Sequence, residues 1–383
     1  MQDTEFGQFR FLRNPFPSGL LRPPGATLGL KAQVGDAITF SDQDRRVPHV
    51  WQFSAGFQYE IARGTLVEVG YSGSRTYLLG MGLTTNTYMN LNFLTPDQLA
   101  LGTVYLNQSM TNPFYGILPA ATSRGQQRTI QRRNLLLPYP QYTNVNVYYR
   151  TGGEGWYDSF QVKFERRYRN GLTALVSYTN SKTMEAVGLL NNSDAKPAPV
   201  LTAWDIPQRL MITAIYELPF GPRKKFLKSG ILSYAVRGWK SSWVGTMQSG
   251  PPIAMPDYYI LRNPKLETGQ SLDRWFDSRV CTSIPDPNSC AWIARPTDTL
   301  RITSLRSPNI RRHSAPQVST TLIRDFRVTE KQRFQMKISA FNATNTPIFR
   351  APDTTATSTT FGQVSKQQYG QPRSVEIGLR YSF

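Results

Sequence analysis

SVEIGLRYSF, Ser374 to Phe383, closes the chain on an aromatic ring. Val375, Ile377, Leu379, Tyr381 and Phe383 fall on one side of an extended chain; Ser374, Glu376, Gly378, Arg380 and Ser382 fall on the other. The last residues of a soluble domain are usually frayed and polar. Period-two alternation carried to the final residue predicts a terminus that is paired and half buried.

The same rhythm recurs upstream. HVWQFSAGFQYEIA sets Trp51, Phe53, Ala55, Phe57, Tyr59 and Ile61 against Gln52, Ser54, Gln58 and Glu60. TLVEVGYSG, DSFQVKFERRYR, LTALVSYTN, RLMITAIYELPF, GWKSSWVGTMQSG, PQVSTTLIRDFRV and KQRFQMKISAFN alternate likewise, which makes about nine strands from His49 onward. Arg63-Gly64, Asn170-Gly171, Pro219–Ser233 and Thr329-Glu330 make short connections. Between them lie long links, from Ser74 to Glu154, Asn180 to Gln208, Pro251 to Ala315 and Thr344 to Pro372. Strict alternation of short and long places every short turn at one end of an up-and-down meander and every long loop at the other. Compact soluble domains seldom need such loops, whereas transmembrane barrels carry short periplasmic turns and long extracellular loops. A soluble sandwich would show the same alternation along each strand. Strand lengths near 9–11 residues and aromatics near strand ends, such as Trp51, Tyr178 and Trp239, favour the membrane. The expected fold is all-β: an antiparallel transmembrane barrel portion over residues 49–383, led in by a loop or extended segment, 1–48.

Composition narrows the function classes. The net charge of +19 raises nucleic acid as a partner, but only RKKFLK, Arg223 to Lys228, is a dense basic run, and it falls in a turn. No basic helical stripe or nucleic-acid-binding motif accompanies it, so no nucleic-acid partner is expected. With two histidines in all, His49 and His313, acid–base chemistry has little to build on. GYSGS is not the nucleophile elbow, because Gly73 follows Ser72 directly. Neither an enzyme nor a cofactor is expected. Cys281 and Cys290, nine residues apart across CTSIPDPNSC, suit a small disulfide loop in an oxidising compartment, with two free thiols as the alternative. No stretch is long and apolar enough for a helical span, and MQDTEFGQFRFLRN lacks the pattern of a signal peptide.

EIGLRYSF resembles, position by position, the terminal signal of outer-membrane barrels, in Glu376, Gly378, Tyr381 and Phe383. The resemblance implies recognition by the barrel-assembly machinery through edge pairing. VEVGYSGSRTYLLG, AWDIPQRLMITAIYELPFGPRKKF, KISAFNATNTPIF and FGQVSKQQYGQPRSVEIGLRYSF look like the C-terminal barrel of Oar-like TonB-dependent receptors. A strand ending Tyr-x-Leu-Pro-x-Gly before a basic turn (Tyr216 to Gly221) and a Phe-Asn-x-x-Asn corner (Phe341, Asn342, Asn345) carry the likeness. It implies an outer-membrane transporter with a 22-stranded barrel, contacts with membrane lipid, and energised uptake of an unknown bulky ligand, coupled to the TonB system through a plug. About nine strands and no recognisable plug, regulatory-like domain or signal peptide make the chain read as the C-terminal portion of a longer receptor. Within it, Tyr142, Tyr148, Tyr149, Trp156 and Tyr157 either pack the loops together or stack on a sugar or peptide. A surface β-sheet adhesin is the rival reading.

Overall fold

The computed structural model describes residues 29, 31, 33–83, 88–222, 224–282, 285–286, 288–327 and 329–383. Most of the first 32 residues of the expected 1–48 lead-in lie outside these. Nine strands among the described residues form one sheet: β1 His49–Ala62, β2 Thr65–Gly80, β3 Thr151–Arg169, β4 Leu172–Ala186, β5 Gln208–Glu217, β6 Trp239–Gln248, β7 Gln317–Arg327, β8 Arg333–Phe341 and β9 Ser374–Ser382. Each pairs antiparallel with the next in chain order, and Val200–Leu201 adds a short segment on Met184 and Glu185. This is the all-β, antiparallel, up-and-down arrangement expected from the alternation. The sheet is open, with β1 and β9 as its free edges, and every residue of both is exposed.

The turns are set by local chemistry. Asn170 and Gly171 both take positive φ, 53° and 80°, as a two-residue hairpin matched to strand twist requires. Gly64 at φ 73° serves the β1–β2 turn. In the Phe-Asn-x-x-Asn corner, Asn342 and Asn345 adopt φ 46° and 51°. The Asn342 side chain donates to the carbonyls of Thr346 and Gln371, each at 3.2 Å, and accepts from the Thr346 amide at 3.0 Å. Two asparagines thus turn the chain out of β8 and stitch the loop's two ends together.

Register decides what the sheet presents. Tyr59 stands opposite Val67, Val67 opposite Phe164, Phe164 opposite Val176 and Val176 opposite Ile212. Further along, Leu322 faces Ile338 and Ile338 faces Ile377; Met336 faces Leu379 and Phe334 faces Tyr381. Since a one-residue slip would move a strand's whole apolar set across the sheet, these pairings keep one face predominantly apolar, with Arg324 of β7 a charged exception opposite Trp239 and Met336. The other face holds most of the charged side chains, with Lys163 between Glu68 at 3.7 Å and Glu165 at 3.5 Å. Much of the apolar face is open: Phe57, Tyr59, Phe160, Trp243, Ile377 and Leu379 are all exposed. A large contiguous apolar surface marks a contact with something other than water.

Arg in place of Ile212, mid-strand on the apolar face of β5, costs about 2–4 kcal/mol where that face meets lipid. The same replacement at Thr213, on the polar face, leaves stability within about 0.5 kcal/mol. Urea unfolding of the two variants in vesicles, followed by heat-modifiable gel migration, measures the difference.

Candidate ligand-binding site

The four long connections, 81–150, 187–207, 249–316 and 342–373, all leave the same end of the sheet and build a structured cap. Among the described residues the largest fully buried side chains lie there and not in the nine strands of the sheet: Phe276 is 0% and Trp292 1% exposed. They pack edge-to-face with each other and with Phe361, at ring-centroid distances of 6.0, 5.2 and 5.6 Å. Ile253, Met255, Ala291 and Ile310 complete this core, which joins connection 249–316 to connection 342–373. Cys281 and Cys290 are bonded as a disulfide beside it, Cα atoms 5.7 Å apart.

Ion pairs tie the cap to the strand ends. Asp205, 1% exposed at its side chain, accepts from Arg311 at 2.7 Å and from the Thr183 amide at 2.7 Å. The same Arg311 donates to the carbonyls of Asp205 and Gly250. Glu185 accepts from Arg306 at 2.6 Å. Connection 187–207 is thereby clamped between β4 and connection 249–316.

Between three of these loops lies a cavity of about 690 Å³, within the usual range for ligand sites. Arg133 comes from connection 81–150, Asn192 from 187–207, and Asp257, Arg295, Asp298 and Arg301 from 249–316. The charges are largely paired across loops. Arg133 donates to Asp298 at 2.8 Å, and Arg295 makes a two-pronged contact with Asp257 at 3.0 and 2.8 Å. Those bonds to Asp257 raise the pKa of Arg295, while burial lowers that of Arg301. Asn191 fixes the seam, donating to the Arg301 carbonyl and accepting from its amide. Two of these residues also carry an acceptor atom enclosed in protein without a hydrogen-bond partner, Asn192 Oδ1 and Asp298 Oδ2, and the Asp298 side chain is only 4% exposed. Phe93 contributes the one aromatic side chain of the lining. None of these residues stands out in the sequence, because the pairings span up to 165 positions.

The structure distributes the five sequence-selected aromatics. Tyr148 meets Tyr88 at 5.6 Å and Tyr149 at 5.8 Å, and Arg45 lies 4.6 Å over the Tyr149 ring. Tyr142 uses its carbonyl to accept from Asn92 and Arg124. Trp156 and Tyr157 are neighbours in β3 and project to opposite faces. None of the five lines the 690 Å³ cavity. Glu376, Gly378, Tyr381 and Phe383 lie at the free edge, with the Tyr381 and Phe383 rings 6.0 Å apart. A Cβ on Gly378 would meet only Lys337 Cβ, at an ordinary 3.9 Å, so packing against β8 does not require glycine there.

Two consequences are measurable. Asp205→Ala leaves Arg311 without its carboxylate and costs roughly 3 kcal/mol of local stability; faster exchange of the Thr183 amide and an unchanged sheet register it. In connection 342–373, hydrogen bonds from the Ser358 hydroxyl, the Thr355 amide and the Thr360 hydroxyl hold the Asp353 carboxyl down to about 2. A carboxyl pKa depressed on folding contributes stability that is complete above the unfolded value of about 3.9 and disappears as pH falls through the folded value. Pepsin therefore cuts at Phe361 increasingly as pH falls from about 4 to 2, and Asp353→Asn removes that pH dependence.

Comparison with known proteins agrees with the architecture. A family described as "Outer membrane beta barrel domain" matches residues 2–376. No curated protein matches the chain. Similar solved structures include the transporter YddB from Escherichia coli (11% identity, TM-score 0.40, covering 91% of this chain and 34% of that one). The pyoverdine receptor FpvA from Pseudomonas aeruginosa PAO1 gives 10%, 0.37, 88% and 30%. The FrpB iron transporter from Neisseria meningitidis gives 11%, 0.36, 90% and 33%. The chain therefore spans about a third of the length of each. An antiparallel meander with one apolar face, loops gathered at one end and a family match over nearly its whole length identify the chain as a member of the outer membrane beta barrel domain family, located in the cell outer membrane.

Proposed function

We propose that the chain is the C-terminal barrel portion of an Oar-like TonB-dependent receptor and that its long loops form part of the mouth that receives a bulky ligand for energised uptake. The observation that carries this reading is the 690 Å³ cavity shared by three loops at one end of the sheet, with ion pairs across and within those loops on its wall. An adhesin needs only an exposed surface; a concave site held by cross-loop ion pairs is better suited to capture before import. In this reading β1 and β9 pair with further strands of a larger barrel, which removes the exposed edges. The terminal strand engages the barrel-assembly machinery, the apolar face meets lipid, and energy arrives from TonB through a plug. The role is transport without catalysis, and no cofactor is required.

The test couples the full-length receptor to its energy source. Purified receptor in detergent should bind the periplasmic domain of TonB saturably. Failure to bind it, in a receptor that shows heat-modifiable migration, contradicts energised uptake and leaves the adhesin reading. Deleting Phe383 from the full-length protein should impair its assembly; normal insertion would separate the terminal strand from any role as an assembly signal.

A further inference from the structure

The connection from β5 to β6 is unlike the other short turns. Residues 218–238 include a six-residue helix, α1, Ile231–Val236, whose only buried residue is Ser233. Ile231 is 91%, Leu232 67% and Tyr234 65% exposed. Phe226 and Leu227 are exposed just before it. These apolar side chains share the segment with Lys225 and Lys228, both exposed, and with Arg237, whose guanidinium lies 3.7 Å from the Tyr234 ring centroid. Lys224 is engaged with Glu217 at 3.0 Å.

The position of α1 is fixed. Arg324 on β7 lies in register with Trp239 and Met336, and Met336 with Leu379, all on the apolar face. Its guanidinium donates to the carbonyls of Ala235 at 2.5 Å and Tyr234 at 2.6 Å, capping carbonyls that the helix end leaves open. Trp239 Nε1 also donates to the Ala235 carbonyl, at 3.1 Å. Through these bonds α1 is held on the lipid side of the sheet, at the end opposite the long loops. In an outer-membrane barrel that is the periplasmic boundary of the inner leaflet. A short segment with apolar side chains beside lysines, at a membrane boundary, has the composition of an interfacial anchor.

We infer that α1 and the residues before it form an anchor in the inner leaflet of the outer membrane: Ile231, Leu232 and Tyr234 enter the acyl boundary, and Lys225 and Lys228 bind anionic phospholipid headgroups. The occupant is phospholipid because the segment is bonded to the lipid-facing side of the sheet and carries positive charge, which anionic headgroups attract. The anchor fixes how deep this edge of the sheet sits, independently of what the loops bind.

The test uses the full-length protein in vesicles of phosphatidylcholine, with or without phosphatidylglycerol. Bimane is attached through Ile231→Cys or Leu232→Cys; among the described residues no cysteine is free to compete. Shallow doxyl-labelled phospholipid should quench both probes and aqueous iodide should not, with quenching stronger when phosphatidylglycerol is present. Lys225→Gln with Lys228→Gln should abolish that dependence on phosphatidylglycerol while heat-modifiable migration is unchanged. Iodide quenching without doxyl quenching in these vesicles overturns the anchor. Doxyl quenching indifferent to phosphatidylglycerol overturns the headgroup role of the two lysines.

Discussion

Strand register is the constraint on which the rest of this structure depends. Hydrocarbon offers no partner for backbone N–H and C=O groups, so a membrane-spanning sheet must satisfy them strand to strand. That requirement fixes pairing, and pairing fixes side-chain direction. From Tyr59 across to Val176 and Ile212, and from Leu322 to Ile377, each apolar residue has an apolar or small neighbour opposite it. A slip of one residue in any strand would bring its charges, such as Lys163 or Glu165, onto the face that carries Val162 and Phe164.

One result is an inversion of the usual globular plan. The strands leave their apolar residues exposed, while the fully buried Phe276, Trp292, Leu106, Leu189 and Ile253 all lie in the long connections. The cap has to fold as a water-soluble body on top of a membrane body. It does so with an aromatic cluster, a disulfide and carboxylate–arginine clamps such as Asp205–Arg311 and Glu185–Arg306. A further pair, Arg133–Asp298, shapes the cavity by joining connections far apart in the chain. Outward-facing lipid chemistry and inward-facing loop chemistry are thus separated along the strand axis. The Arg324-capped helix lies at the opposite end of the sheet from the cap.

The strands and turns were legible because they rest on local chemistry. Alternation marked every strand of the sheet, and Asn170-Gly171 stated its own turn geometry through positive φ at both residues. The rhythm of short and long links gave the polarity of the meander, since it needs only order along the chain. The site was far less legible. Asp298 pairs with Arg133, and Arg301 meets Asn191 110 residues earlier; nothing local to either sequence stretch encodes those meetings. The tyrosines around residue 148 are dense in the sequence, yet the contacts of Tyr148 with Tyr88 and of Tyr149 with Arg45 are those of loop packing. The six-residue helix after RKKFLK was too short to leave a periodic signal, and its placement depends on Arg324, 88 residues beyond Val236.

Whether register turns one face to lipid and the other to water can be read along β3. Spin labels placed singly at positions 160 to 165 in the membrane-embedded protein report access to oxygen and to a water-soluble nickel chelate. Oxygen access should peak at 160, 162 and 164 and nickel access at 161, 163 and 165, a period of two with the faces as assigned. A flat profile, or peaks on the opposite parity, would contradict the account.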